Sequence, residues 1–309
     1  YIHRQTLKNS YRYTTKELIE VSEKILNANF LFSKKENEIY KNLISIIKTN
    51  ARLIASTSDV IARIDVAQSW ANYSMQYNGV RPKLLKNKDF TVIDGRHPSV
   101  EKSHSEKFIS NSCILKEEDN KFFKLITGPN MSGKSTYLRQ NAIILIMAQA
   151  GGFCPAKEVT LGVCDKLFCR VGSGDELAKG NSTFMVEMLE TANILNTATS
   201  KSLVILDEIG RGTSTFDGIS IAWATSEYLL EKIKCKVLFA THYNELANLE
   251  KKFKGLDLNT FRVKEWKGEL IFLYEIISGL AEVLMEFRLG KWLVFLKRSQ
   301  ISHLIYCPS

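Results

Sequence analysis

Apolar positions in the first part of the chain recur at helical spacing: Leu18, Val21 and Ile25, then Ile39, Leu43, Ile46 and Ile47, then Val60, Ile61 and Ile64. No glycine occurs before Gly79 and no proline before Pro82, the two residue types that most often interrupt regular structure. The pattern predicts two or three long helices over residues 1–78. Such helices make a poor core among themselves, so they are expected to lean on something else. The pattern changes at Asn78-Gly79-Val80-Arg81-Pro82, which reads as a linker. From there short apolar runs alternate with helical stretches. A strand is predicted over 122–127, and a helix from Lys134 to about Ala150. Residues 203–206 are wholly apolar and end in Asp207-Glu208, and 237–240 are apolar and end in Thr241-His242. A late strand is predicted over 271–277. Continuously apolar strands with helices between them predict an α/β sheet covered on both faces.

Composition narrows the class without naming a function. A chain of 309 residues, 45% hydrophobic and 24% charged, suits one large domain or two ordinary ones. No apolar run reaches the roughly 18–20 residues a membrane span requires; the stretch 142–150 is too short. Tyr1-Ile2-His3-Arg4 has no leader pattern and no initiator methionine, so the expectation is a fragment or partial gene product in the cytoplasm. The net charge of +9 permits contact with nucleic-acid phosphates, but Lys and Arg are spread along the chain as a solvated surface would also have them. The six cysteines, Cys113, Cys154, Cys164, Cys169, Cys235 and Cys307, form no CxxC pair, which points to free thiols in a reducing compartment rather than a zinc site. Internal repeats and low-complexity tracts are absent.

The sharpest chemistry lies in Gly128-Pro129-Asn130-Met131-Ser132-Gly133-Lys134-Ser135, which fits the phosphate-binding pattern GxxxxGK[ST] between a predicted strand and a predicted helix. Glycines let the backbone wrap phosphates, and amides at the helix start point at the anion. Lys134 is expected to reach the terminal phosphates and Ser135 to ligate Mg²⁺. About 70 residues later, the apolar run 203–206 delivers Asp207 and Glu208 to the C-terminal edge of the sheet, where open α/β folds bind ligands. Asp207 is expected to hold Mg²⁺ and Glu208 to polarise an attacking water. His242, at the end of the next apolar run, is a candidate contact to the γ-phosphate or that water. Gly180-Asn181-Ser182-Thr183-Phe184 and Gly210-Arg211-Gly212-Thr213-Ser214-Thr215 read by themselves as loops.

Together these stretches resemble the MutS family. The resemblance rests on Thr127 with the loop through Thr136, on Ser182-Thr183-Phe184-Met185-Val186-Glu187-Met188, on Asp207-Glu208-Ile209-Gly210-Arg211-Gly212-Thr213-Ser214-Thr215, and on Phe239-Ala240-Thr241-His242-Tyr243. Asp94-Gly95-Arg96-His97-Pro98 and the opening nine residues are also similar, and the likeness runs from Tyr1 to about Ala281. It implies an α/β, ABC-type P-loop ATPase domain over 83–281, preceded by a long-helix lever segment over 1–82. It implies ATP and Mg²⁺ as ligands, with Gly128, Pro129, Asn130, Met131, Ser132, Gly133, Lys134, Ser135 and Thr136 around the phosphates. Ser135 and Asp207 would hold the metal, and Lys134, Glu208 and His242 would carry the chemistry. Phe108 would stack on adenine, and Ser182 would meet the γ-phosphate of a partner subunit's ATP. The implied partners are mismatched double-stranded DNA through the full-length protein, a second copy in a homodimer, and a MutL-type repair protein. The implied place is the bacterial cytoplasm at the nucleoid, away from membranes.

Two departures stand against that frame. No motif of the family's mismatch-reading wedge is present, so this chain is not expected to recognise mismatches by itself. The likeness stops after Gly279-Leu280-Ala281, and residues 282–309 read as a divergent tail. A frameshift near Glu282 would explain it; weakened dimerisation and reduced hydrolysis would follow. A degenerate remnant that binds ATP weakly is the competing expectation. Another ABC-type DNA-maintenance ATPase or transporter subunit would carry an LSGGQ-type signature where this chain has Lys179-Gly180-Asn181-Ser182-Thr183, and a P-loop kinase would show a lid or acceptor motif.

Overall fold

The opening segment without glycine or proline forms one helix, not two or three, and a hairpin precedes it. In the computed structural model, residues 1–8, 10–103, 108–171, 183–266 and 269–280 are described. The chain divides into two units, Tyr1–Ser69 and Trp70–Ser309. Strand β1 (Ile2–Leu7) pairs antiparallel with β2 (Ser10–Thr14), where β-branched and aromatic residues such as Ile2, Thr6, Tyr11 and Tyr13 favour extended backbone. Thr15 then caps helix α1 (Lys16–Tyr77), its hydroxyl accepting the amide of Leu18 at 3.2 Å. Nothing in the next 62 residues removes a donor or favours a break, so the ladder runs through. The helix buries none of its residues; Leu18, Ile46 and Val60 are each more than half exposed at 56%, 61% and 57%. Among the described residues, nothing buries these apolar positions.

The last turns of α1 belong to the second unit. Asn78 takes a left-handed φ of 48°, and the Gly79 amide returns to the Ser74 carbonyl at 3.0 Å, closing the helix as a Schellman turn does. Trp70 packs on Gly152, where a Cβ would lie 2.3 Å from the indole, and Arg96 donates to the Tyr77 carbonyl. The predicted linker is thus anchored, with Val80 bridging to Cys154.

Beyond it the order is β3 (Lys83–Leu85), β4 (Phe90–Gly95), α2 (Pro98–Ser103), β5 (Asn111–Leu115), β6 (Phe123–Thr127), α3 (Lys134–Gln149), β7 (Glu158–Gly162), β8 (Leu167–Arg170), α4 (Thr183–Thr197), β9 (Leu203–Asp207), α5 (Thr215–Tyr228), a π-helical turn at Leu229–Ile233, β10 (Lys236–Ala240), a 3₁₀ segment at Asn244–Lys251, β11 (Leu256–Trp266) and β12 (Glu269–Ser278). One sheet runs β12-β11-β6-β10-β9-β8, parallel except for antiparallel β12. A second, mostly antiparallel sheet runs β3-β7-β4-β5. The fold is mixed α/β.

Strand alternation divides the interior into two cores. Leu203 and Ile205 of β9 and Leu238 and Ala240 of β10 face α3, whose Leu138, Ile144 and Leu145 also meet Phe90, Val92 and Leu161 of the second sheet. Val204, Leu206, Val237 and Phe239 face the other way, onto Ile194 of α4, Ala222 of α5, and Leu246 and Leu249. Helix α3 is therefore held between two sheets and its start is fixed. A buried lysine meets a half-buried carboxylate: the Lys124 ammonium lies 2.6 Å from Asp257 and 3.1 Å from Asn259. Burial pushes the Asp257 carboxyl up, but Lys124 outweighs it, with Asn259 and Lys121 adding to a net lowering. Cys113, Cys154, Cys164, Cys169 and Cys235 are free thiols, as expected; Cys307 lies outside the described residues. No described helix is long and apolar enough to cross a membrane.

Candidate functional site

Strand β6 ends in a loop that turns sharply into α3. The turn needs left-handed backbone at Gly128 (φ 133°), Met131 (φ 69°) and Gly133 (φ 105°). A Cβ on Gly128 would come within 3.3 Å of the Thr260 hydroxyl, which itself donates to the Thr127 carbonyl. Gly133 occupies the N-cap position of α3, so no side chain caps the helix, and no acidic residue lies in its first turn. The Ser132 hydroxyl is buried without a hydrogen-bond partner. The Lys134 ammonium, in a side chain that is almost fully buried, donates to the loop's own carbonyls at Gly128 (2.5 Å) and Pro129 (3.1 Å). Uncapped amides, a buried hydroxyl and a lysine thus converge, the arrangement that attracts an anion with several oxygens.

Across the sheet edge stand two carboxylates on β9 and its exit. Asp207 is 8% exposed, and its Oδ1 has no hydrogen-bond partner. Burial pushes its pKa up; the Ser135 hydroxyl opposes that, Glu208 adds to it, and Lys134 and Arg139 oppose it. No group of three or more His, Cys, Asp or Glu among the described residues could enclose a metal. A hard cation here would rest on the Ser135 hydroxyl, the Asp207 carboxylate, waters and ligand oxygens, a donor set that suits Mg²⁺. Glu208 follows with φ 53°, a conformation that costs a non-glycine residue about 1–2 kcal/mol. It is held there by the hydrogen bond its backbone amide donates to the Ala240 carbonyl at 2.9 Å, while its carboxylate accepts from Arg211 at 2.8 Å.

These elements open on a cavity of about 430 Å³, a size that fits a small-molecule ligand. Phe108, Pro129, Asn130, Met131, Gly133, Lys134, Ser135, Thr136 and Glu208 line it. Gly128 and Ser132 sit buried in the same loop, and Asp207 lies beside Ser135. His242 does not line the cavity; it is exposed, with its ring against Tyr243 at 4.1 Å. Ser182 lies outside the described residues, as do the tail 282–309 and any frameshift in it.

Sequence reasoning missed Tyr274 and Asn111, which also line the cavity. Tyr274 has φ 54° in the middle of β12, where the pairing with β11 slips near Phe261 and Val263. Asn111 clamps this bulge from β5: its amide donates to the Tyr274 carbonyl at 2.8 Å and its oxygen accepts the Ile276 amide at 2.7 Å. A bulge re-aims a side chain, and here it turns the Tyr274 ring toward Gly133 and the pocket. Nothing in an alternating apolar run advertises such a slip. A polar Asn in a short strand was the sole available signal.

The chain is similar to known proteins along most of its length. The MutS domain V family model matches residues 124–290 and the MutS family domain IV model matches residues 1–29. The DNA mismatch repair protein MutS of Rhodopseudomonas palustris (strain HaA2) is 49% identical over 288 residues, covering 91% of this chain and 32% of that protein. Proteins of the same name from Ruegeria sp. (strain TM1040) and Clostridium tetani (strain Massachusetts / E88) are 48% and 47% identical, again over 91% of this chain and 32% of their own length. The chain spans about a third of the length of these curated relatives.

Proposed function

The chain belongs to the MutS family of DNA mismatch-repair proteins, and from that premise we propose that residues 83–281 form an ABC-type P-loop ATPase that binds and hydrolyses ATP. The observation that carries the reading is the single cavity joining the uncapped start of α3, Lys134, Ser135 and Glu208 to the aromatic pair Phe108 and Tyr274. One end suits phosphates and the other a flat base.

In this reading the loop amides and Lys134 hold the β- and γ-phosphates, with γ-phosphate oxygens replacing the loop carbonyls that the Lys134 ammonium now meets. Phe108 and Tyr274 flank the adenine. Ser135 and Asp207 hold Mg²⁺, which when bound neutralises charge on the phosphate oxygens. Glu208 accepts a proton from water as the water oxygen bonds to the γ-phosphorus. The bond to the bridging oxygen breaks, leaving ADP and inorganic phosphate. His242, two residues past the carbonyl that fixes the Glu208 amide, is assigned to the γ-phosphate or the water. Asn130, exposed on the loop, senses the phosphates.

The longer protein is proposed to couple this turnover to mismatched DNA in the bacterial cytoplasm, as a dimer in which Ser182 completes the partner's site, and to act with a MutL-type repair protein. Residues 1–82 would serve as the end of the lever. The exposed apolar positions along α1 suit a helix that meets further protein.

Asp207→Asn tests the metal assignment. Because burial raises the Asp207 pKa, its ionisation costs the folded state stability as pH rises past the unfolded value. The variant is therefore expected to melt higher than the parent at neutral pH without ligand. It is also expected to lose the extra stabilisation that Mg²⁺ adds to ATP in the parent chain. A variant that melts lower than the parent and still gains from Mg²⁺ would sink the assignment.

A further inference from the structure

Three elements converge on the backbone of Gly210, two residues beyond Glu208. From α4, the Glu187 carboxylate accepts the Gly210 amide at 2.5 Å; from the exit of β10, the Tyr243 hydroxyl donates to the Gly210 carbonyl at 3.1 Å. Glu187 is 5% exposed and Tyr243 is 4% exposed. Gly210 has φ 88°, and a Cβ there would lie 2.6 Å from the backbone of Gly218; a Cβ on Gly218 would meet the Tyr243 hydroxyl at 2.3 Å. Neither glycine leaves room for a side chain. Glu187 is steadied by Arg170 at 3.7 Å, and Arg170 by Glu190 at 3.0 Å.

A buried carboxylate is a costly way to satisfy a turn amide, even with Arg170 beside it. What it achieves is position. The Glu208 amide is fixed to Ala240 at 2.9 Å on one side, and Gly210 is gripped at both its polar groups on the other. The left-handed Glu208 backbone lies between two fixed points. We propose that Glu187 and Tyr243 are positioning residues that aim the Glu208 carboxylate through Gly210, so that the placement of α4 sets the rate of hydrolysis. The inference rests on the ATPase reading above. It explains how α4, of whose described side chains none lines the cavity, acts on the chemistry. The same tyrosine links His242's strand exit to the Glu208 loop.

The test measures ATP binding, steady-state hydrolysis and thermal melting for the chain and for Tyr243→Phe, Glu187→Ala and Glu187→Gln. The inference expects kcat to fall about tenfold in Tyr243→Phe and about a hundredfold in Glu187→Ala, the scale of a small misplacement near the reacting atoms. KM for ATP and the fraction of chain that binds ATP stay at the parent's values. Glu187→Gln, whose amide oxygen still accepts from Gly210, recovers most of the loss. Overturning results are a folded Tyr243→Phe with the parent's kcat, or losses that track the ATP-binding fraction alone, as a merely structural role would give. A parent chain with no hydrolysis above Lys134→Ala removes the ATPase reading itself, and this inference with it, whatever the variants do.

Discussion

Lys134→Ala is expected to weaken ATP binding about a hundredfold, roughly 2.7 kcal/mol. The lysine stem is buried under the loop and its ammonium already sits among loop oxygens at 2.5 and 3.1 Å. Phosphate oxygens brought to that place would gain charge-assisted hydrogen bonds from a group whose desolvation is already met by the fold. Alanine leaves the helix start and its amides intact but removes the one cation the loop directs inward. The loss therefore belongs to the phosphates and not to the base. Titration calorimetry with ATP and with adenosine separates the two: ATP affinity drops and adenosine affinity does not. Equal ATP affinity in parent and variant would count against the site.

Glu208→Gln carries the second large effect. Its kcat is expected to fall by about 10²–10⁴, the range for losing a positioned general base, with ATP affinity retained. Glutamine keeps the size, the left-handed backbone and an oxygen for Arg211, so the loop holds while proton acceptance goes. Binding by calorimetry and phosphate release on the same preparation check the split. A variant that still releases phosphate at the parent's rate moves the base elsewhere, and His242 becomes the first residue to examine.

The parts of this fold written into the chain were those governed by local pattern. The runs 203–206 and 237–240 became the central strands β9 and β10, and the segment from Lys134 became α3, because wholly apolar runs at these lengths can be satisfied only inside a sheet or against one. The helix count over the first 78 residues went wrong for a physical reason. Gaps in the apolar periodicity suggested breaks, but a gap only exposes a helix, and without glycine or proline nothing ends it. The hairpin before it was hidden by the same habit of reading absent breakers as helix. The second sheet escaped because β3, β4, β5 and β7 are three to six residues long, with mixed exposure.

The loop residues and the two carboxylates were legible as candidates because their chemistry fixes their spacing. Phe108 came only through family resemblance. Tyr274 depends on a bulge held by Asn111, and the Gly210 grip joins residues 187, 210 and 243, contacts that follow from tertiary packing and leave no periodic trace.

The most direct measurement is photolabelling of the purified chain with 8-azido-ATP and Mg²⁺, followed by mapping of the labelled peptide. Label on the peptide bearing Phe108 or Tyr274, competed by unlabelled ATP and lost in Lys134→Ala, is the result that the nucleotide reading of this cavity predicts. Label confined to peptides remote from both aromatics, or unaffected by ATP and by Lys134→Ala, would contradict it.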